Sequence, residues 1–436
     1  MSVQSYGCRS SSQICRPDYA AGSRFVGCLK SLLTSGDEEA ATTLLTDEVK
    51  HVDAIIELSN DDWMKETTAP IPPQVLLGLW TLEYTQELTS PLCITSSRGY
   101  TECVRYLLHR RADPNAAPGG RSPLHEACSG GHDDCVQLLL EHGANPNQRS
   151  DDGRVPLHFC ETKSSLRCAE LLLQHGALVN QTTEELQDTS LHIAARLGLL
   201  DHVELYLHGG AISAINCKNL DGETPLIAAC GGNGGDGNIR LQLCQLLLEE
   251  GADPEAQDQQ ERRPVHHACR KADHRLVELL LAAGVDVNAT DYNGVLPLSC
   301  VLQSAELYRE RRPHLTVRAL LNHGARCVYP EAFGMVLRYC SGVPEVISLL
   351  YSSYLSLEVC SRWRQDIPEN VFQTHESFYT TFFSLSGTVR SLQHLCRFTL
   401  RKHFNSQCYH SIPLLPVPAA IKDYLLLAGE WSDSLL

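Results

Sequence analysis

A phrase of four residues returns along this chain at nearly even intervals, and no other feature limits the fold so tightly. It reads SPLC from Ser90, SPLH from Ser122, VPLH from Val155, TSLH from Thr189, TPLI from Thr224, RPVH from Arg263 and LPLS from Leu296. The starts are separated by 32, 33, 34, 35, 39 and 33 residues. A second phrase keeps phase with it: RRADPN from Arg110, HGANPN from His142, HGALVN from His175, EGADPE from Glu250, AGVDVN from Ala283 and HGARC from His323. A period of this length marks one supersecondary unit repeated in a stack.

Each phrase has a physical task. Ser or Thr before Pro starts a helix: the hydroxyl caps free amides, and Pro takes the first helical position, where its missing N–H costs nothing. Leu124, Ala127 and Cys128 then form a short apolar face, and Val136, Leu139 and Leu140 form that of a second helix, which Gly143 ends in a left-handed conformation. Asp152-Gly153, Asp221-Gly222 and Asn293-Gly294 supply tight reversals before new starts. The unit is therefore turn, helix, helix. One unit cannot bury both helices, so neighbours must stack into a solenoid.

The cysteines follow the same period. Cys103, Cys135 and Cys168 share one repeat position, and Cys128, Cys230 and Cys269 another. A free thiol packs as a small hydrophobe, so core filling accounts for them. The total of 19 is odd, spread over 436 residues, and contains no CxxC, which disfavours a secreted disulfide scaffold, a thiolate zinc knuckle and a thioredoxin-type pair. The opening residues carry no signal-length apolar run, and nowhere do eighteen consecutive apolar residues occur. The expectation is a soluble intracellular protein without a membrane partner, in the cytoplasm first and the nucleus second. A formal charge of −16 disfavours nucleic acid as a partner, because affinity for phosphate backbones comes from clustered Lys and Arg.

Two motifs suggest chemistry and have simpler readings. GGNGGDGN, Gly231 to Asn238, has the glycines of a phosphate cradle, but Asn238-Ile239-Arg240 lacks the Lys and Ser or Thr that a P-loop needs. It also falls at the turn between two helices of one repeat, where insertion is cheap. HHACRKADH, His266 to His274, contains zinc-ligand types, yet His266 is the repeat's own histidine and Cys269 a core position. No nucleophile elbow or HExxH is present, so the chain is expected to be non-catalytic, with no cofactor and no metal.

The repeat resembles the ankyrin repeat, with its T-P-L-H opening and G-A-D-like close, most strongly over Ser90 to Ala325. Ser190 in place of proline, Ile227 and Ser299 in place of histidine, and Arg263 in place of the capping hydroxyl put the regularity of those turns in question. Residues 1–50 read as a degenerate cap or a partly disordered arm, 51–350 as the array with irregular terminal repeats, 351–385 as a helical connection and 386–436 as a separate C-terminal element. The fold class expected is all-α.

In SLQHLCRFTL, Leu392, Cys396 and Leu400 recur at i, i+4 and i+8, with Leu395 beside them, while Arg397, Arg401 and Lys402 fall off the stripe and are expected in solvent. Periodicity alone leaves open a helix that covers the last repeat and a helix that binds a partner. Followed by Leu415-Pro416-Val417-Pro418 and AIKDYLLL, it resembles the SOCS box, an Elongin-binding helix ahead of an L-P-x-P cullin box. The resemblance implies that Leu392, Cys396 and Leu400 bind Elongin and that Leu415, Pro416, Val417 and Pro418 bind Cullin-5.

Both halves together resemble the ankyrin repeat and SOCS box family. That implies a substrate receptor joined to Elongin B, Elongin C, Cullin-5 and a RING subunit, with an unknown protein held by the array for ubiquitination. A plain ankyrin scaffold or inhibitor with a covering helix is the alternative. Acids at the hairpin tips, Asp151, Asp152, Asp221, Glu223, Asp258, Glu261 and Asp291, are either ordinary turn residues or an acidic strip that steers a basic or mixed-charge segment of the substrate.

Overall fold

The computed structural model describes residues 17–20, 22–49, 51–59 and 86–428. The arm reading for the first sixteen residues lies outside them. The chain divides into two compact units, Met1–Glu185 and Leu186–Leu436.

In the first unit, helices Arg24–Ser35 and Glu38–Asp47 pack as a pair, capped by Ser23, which accepts from the Val26 amide, and by Asp37, which accepts from Ala40. Strands Ile56–Ser59 and Gln86–Thr89 then pair antiparallel, with Ile56 opposite Thr89, the one sheet among the described residues. Repeats follow as Pro91–Arg98 with Thr101–His109, Pro123–Gly130 with Asp133–Glu141, and a 3-10 turn Pro156–Phe159 with Leu166–Gln174. First helices stack on first helices and second on second.

The second unit continues the pattern with Ser190–Leu197 and Leu200–His208, Pro225–Gly231 and Gly237–Glu249, Pro264–Arg270 and His274–Ala282, Pro297–Ser304 and Pro313–Asn322, and Phe333–Cys340 with Pro344–Tyr351. Helices Glu369–Thr374 and Glu376–Ser384 come next; Tyr379 and Phe382 are fully buried, and the Tyr379 hydroxyl donates to the Ser341 carbonyl at 2.6 Å. Among the described residues, no helix is long and apolar enough to cross a membrane.

The repeat histidine joins neighbours. In the first unit, the Ser122 amide donates to His125 Nδ1 at 3.1 Å, while Nε2–H donates to the carbonyls of Gln148 and Arg154 at 3.1 and 3.2 Å. In the second, His192 accepts from Thr189 and donates to Cys217 and Glu223, and His266 accepts from Arg263 and donates to Ala289 and Val295. One nitrogen accepts and the other donates, which only the neutral imidazole can do. Burial favours the same state, pushing His125 down to about 4 and lowering His192 and His266.

The sequence departures fall elsewhere than expected. Helices beginning after Thr189, Thr224, Arg263 and Leu296 are all regular. At Arg263 the histidine keeps the bond from the capping residue's amide that it makes at Ser122 and Thr189, and the helix forms without the hydroxyl. The irregular repeat is the one at Val155, where proline and histidine are both present. There the helix stops after a single turn; Phe159 occupies the place that Glu126 holds one repeat earlier, and its buried ring has the Arg121 and Arg154 guanidinia 4.8 and 4.3 Å from its centre. The six repeat cysteines singled out by position, Cys103, Cys128, Cys135, Cys168, Cys230 and Cys269, are buried.

Candidate partner-binding site

The C-terminal helix Leu392–Phe404 begins at Ser391, whose hydroxyl accepts from the His394 amide. Its buried side chains are His394 and Arg397. Arg397 Nη2 donates to the Ser352 carbonyl and to His394 Nδ1, both at 3.1 Å, and its guanidinium lies 4.3 Å from the centre of the Tyr424 ring. His394 Nε2–H then donates to the Tyr354 carbonyl at 2.7 Å. Burial, with Arg390 and Arg397 alongside, lowers the His394 pKa and keeps the ring in the neutral form these bonds need.

One turn further, Arg401 donates to Asn322 Oδ1 at 2.7 Å and to the carbonyls of Leu425 and Leu321 at 2.8 and 3.0 Å. Leu321 and Asn322 end the helix Pro313–Asn322, and Ser352 ends Pro344–Tyr351. The arginines thus satisfy last-turn carbonyls and sit at the negative ends of two helix dipoles. This corrects the expectation of solvated arginines: Arg397 is 3% exposed. The reason is that free helix ends offer carbonyl acceptors, and a guanidinium satisfies several at once.

The apolar stripe faces away. Leu392 is 77% exposed, Leu400 39%, and Cys396 is exposed, with Val389 beside the helix start at 95%. The helix is inverted relative to an ordinary surface helix, with cations inside and hydrocarbon outside. Leu392, Cys396 and Leu400 are brought together on one accessible face.

The proline strip lies close by and is only partly extended. Leu415 packs against a cluster of Cys408, Ile412 and Leu425, so it serves the chain's own core. The Val417 amide donates to the Leu415 carbonyl, closing a tight turn at Pro416, and Leu415 and Pro418 flank it in extended conformations. Pro416 and Pro418 are exposed and Val417 half-buried. Leu414, which the sequence reading passed over, is 83% exposed. Its place directly before the L-P-x-P motif was the available signal.

The hairpin-tip acids separate into two groups. Asp151, Asp152, Asp221 and Glu261 are exposed, and Glu223 is half-buried and paired with Arg196. Asp258 and Asp291 are 6% exposed, which corrects their assignment to a surface strip. Asp258 accepts from the Gln260 and Arg262 amides, the Arg262 guanidinium and His267 Nε2. Burial alone would raise its pKa, but these bonds hold it down at about 2. Asp291 accepts from the Asn293 and Val295 amides. Both close their own turns.

The chemistry-like motifs are also committed elsewhere. In the glycine-rich loop, a side chain at Gly232 would collide with the Arg196 carbonyl and one at Gly234 with the Leu197 backbone, so these glycines allow the loop to pack on the last turn of the helix Ser190–Leu197. His267 is bonded to Asp258, and Cys269 is fully buried. Among the described residues, no group of three or more His, Cys, Asp or Glu is arranged to hold a metal.

An array of helix pairs followed by a small helical element with an outward apolar stripe defines a class of adaptor. The SOCS box family matches residues 388–426; ankyrin repeat families match 80–150, 152–184, 191–291 and 236–331. Ankyrin repeat and SOCS box protein 18 of Homo sapiens is 46% identical, covering 95% of this chain and 98% of that one. Protein 16 of Mus musculus is 37% identical over 95% and 87%, and protein 10 of Mus musculus 41% identical over 81% and 77%. The chain belongs to the ankyrin repeat and SOCS box family. That architecture supports a substrate-receptor role in a cullin-RING ligase.

Proposed function

We propose that this chain is the substrate-recognition subunit of an Elongin B/C, Cullin-5 and RING ubiquitin ligase. The array holds the protein to be modified, and the C-terminal element recruits the rest for ubiquitination and proteasomal degradation. The carrying observation is the inverted helix: Arg397 and Arg401 fasten one face to the chain, while Leu392, Cys396 and Leu400 are left for another protein. On this reading the stripe seats in Elongin C, and Pro416, Val417 and Pro418, with Leu415 holding the turn from inside, meet Cullin-5. The same reading divides the chain at 1–50, 51–350, 351–385 and 386–436. The chain contributes proximity, raising the effective concentration of a target lysine near a charged conjugating enzyme, and does no bond chemistry itself. A scaffold whose final helix only covers the last repeat has no use for the exposed stripe.

A capture experiment with purified Elongin B/C and Cullin-5 tests this. Leu392 holds the first helical position, which tolerates proline, so Leu392→Pro with Cys396→Phe alters the stripe without breaking the helix. The double variant should lose Elongin while its thermal melt stays cooperative. Replacing Pro416 and Val417 with alanine should lose Cullin-5 and keep Elongin. Full Elongin capture by the double variant would overturn the reading.

A further inference from the structure

The second unit contains a groove of about 440 Å³ at the turns between first and second helices, lined by Asp273, Arg275, Glu310, Arg311, Arg312 and Leu315 among others. Its charge is opposite to that of the chain, which has 52 acidic residues against 36 Lys and Arg. Arg275, Arg311 and Arg312 are exposed, and among the described residues none forms an ion pair with a carboxylate. Arg275 is held by Asn238 Oδ1 at 2.7 Å, and Arg311 by the Lys271 carbonyl at 3.3 Å. Of the two lining carboxylates, Asp273 is already neutralised by Arg240 at 3.4 Å, a residue only 5% exposed whose Nε has no hydrogen-bond partner.

The other lining carboxylate, Glu310, forms no ion pair among the described residues, so the groove has three exposed guanidinia against one free carboxylate, an excess of cations. Burial, with Arg240 and Arg311 nearby, pushes the Lys271 ammonium down to about 8. Arg312 has φ 54° and ψ 63°, a left-handed conformation that costs an arginine energy and that the surroundings must impose. It precedes the helix Pro313–Asn322, where the helices Gly237–Glu249 and His274–Ala282 have the capping aspartates Asp236 and Asp273. A carboxylate is thus replaced by a guanidinium at the lip of the groove. A merely solvated surface in so acidic a chain would have found acidic partners.

We infer that this groove docks an anionic segment of the substrate protein, a short run of carboxylate or phosphorylated side chains held by Arg275, Arg311 and Arg312. The inference rests on the receptor reading above and gives that receptor a substrate class. Forked guanidinia suit carboxylate and phosphate oxygens alike. A single short groove on a chain of net charge −16 suits a peptide and not the long phosphate track of a nucleic acid.

Fluorescence anisotropy on the full chain tests it, with labelled octaglutamate, a phosphoserine peptide, octalysine and a short oligothymidylate as probes. At low salt the anionic peptides should bind, and the binding of labelled octalysine, measured alone, should not weaken when the groove arginines are changed. Arg275→Glu with Arg311→Glu should weaken binding at least about tenfold, and the milder Gln pair several-fold, with salt narrowing the difference. The stronger of the two anionic probes identifies the source of the charge. The Gln pair keeps the measurement readable if the Glu pair does not fold. Binding unchanged in a folded variant, no binding of either anionic peptide by the wild type, or tighter binding of oligothymidylate would overturn the inference. Elongin capture by the same proteins is read separately: its retention with failed peptide binding removes the groove alone, and its loss in the wild type removes the receptor reading.

Discussion

The helices His274–Ala282 and Leu392–Phe404 have comparable amphipathic patterns and use them in opposite ways. In the first, Leu276, Val277, Leu280 and Leu281 are buried against neighbouring repeats. In the second, the buried residues are His394 and Arg397, and leucines face solvent. The repeat helix gains from hydrocarbon removed from water, roughly 25 cal/mol per Å². The C-terminal helix is held by guanidinium bonds to carbonyls at the ends of other helices, which leaves its hydrocarbon for a partner. A helical stripe is therefore a statement that two faces differ, and the acceptors around the helix decide which one goes inside.

The sharpest test of the contrast is truncation of one leucine in each helix. Leu280→Ala should cost about 2–5 kcal/mol, because it opens a cavity in a fully buried site. Leu392→Ala should change stability by less than about 0.5 kcal/mol in the free protein, because the side chain is already 77% exposed. Urea unfolding of both variants checks this. Comparable losses would mean that the outward stripe supports the fold after all.

Acid should weaken both regions, since both rest on neutral histidines. The folded pKa of His125 lies near 4, below the ordinary 6.5, so the unfolded chain takes up the proton first. Its contribution is fully present above about pH 6.5, is lost as pH falls towards 4, and loses nothing further below that. At pH 5 the loss should be about 2 kcal/mol from this residue. His394 shifts in the same direction, and protonating it places two cations together with Arg397 and removes the acceptor for that guanidinium. Urea midpoints at pH 7 and pH 5, with hydrogen exchange resolving residues 392–404, separate the two contributions. A midpoint that does not fall on acidification would contradict the neutral-histidine assignment.

Most of the repeat architecture was legible because it is written locally. Capping hydroxyl, proline, histidine and closing glycine act within one unit, and their period announces the stack. The stripe Leu392, Cys396, Leu400 was legible for the same reason. Its orientation was not, because the acceptors that turn Arg397 and Arg401 inward, at Ser352, Leu321, Asn322 and Leu425, are contributed by distant segments. The pairing of Ile56–Ser59 with Gln86–Thr89 was not legible, because the two strands are far apart in sequence. Asp258 and Asp291 were legible as turn residues, but their type does not reveal a carboxylate folded back onto its own turn's amides.

The smallest expected change in stability isolates the contrast at one atom. Cys269 and Cys396 are both free thiols, one fully buried in a repeat and the other exposed on the outward stripe. Cys269→Ser places a hydroxyl where burial already raises the thiol pKa well above its usual value, and a hydroxyl left without a partner there should cost about 1–3 kcal/mol. Cys396→Ser exchanges one solvated group for another and should shift stability by less than about 0.5 kcal/mol. If the stripe is a docking face, the same change should still weaken Elongin capture, because the hydroxyl must then be desolvated in an apolar partner pocket. Thiol labelling gives an independent reading: Elongin B/C should protect Cys396, while exposed Cys217 goes on reacting at its original rate. Equal protection of both cysteines would point to a general change in the fold, and protection of neither would leave the outward stripe without its partner.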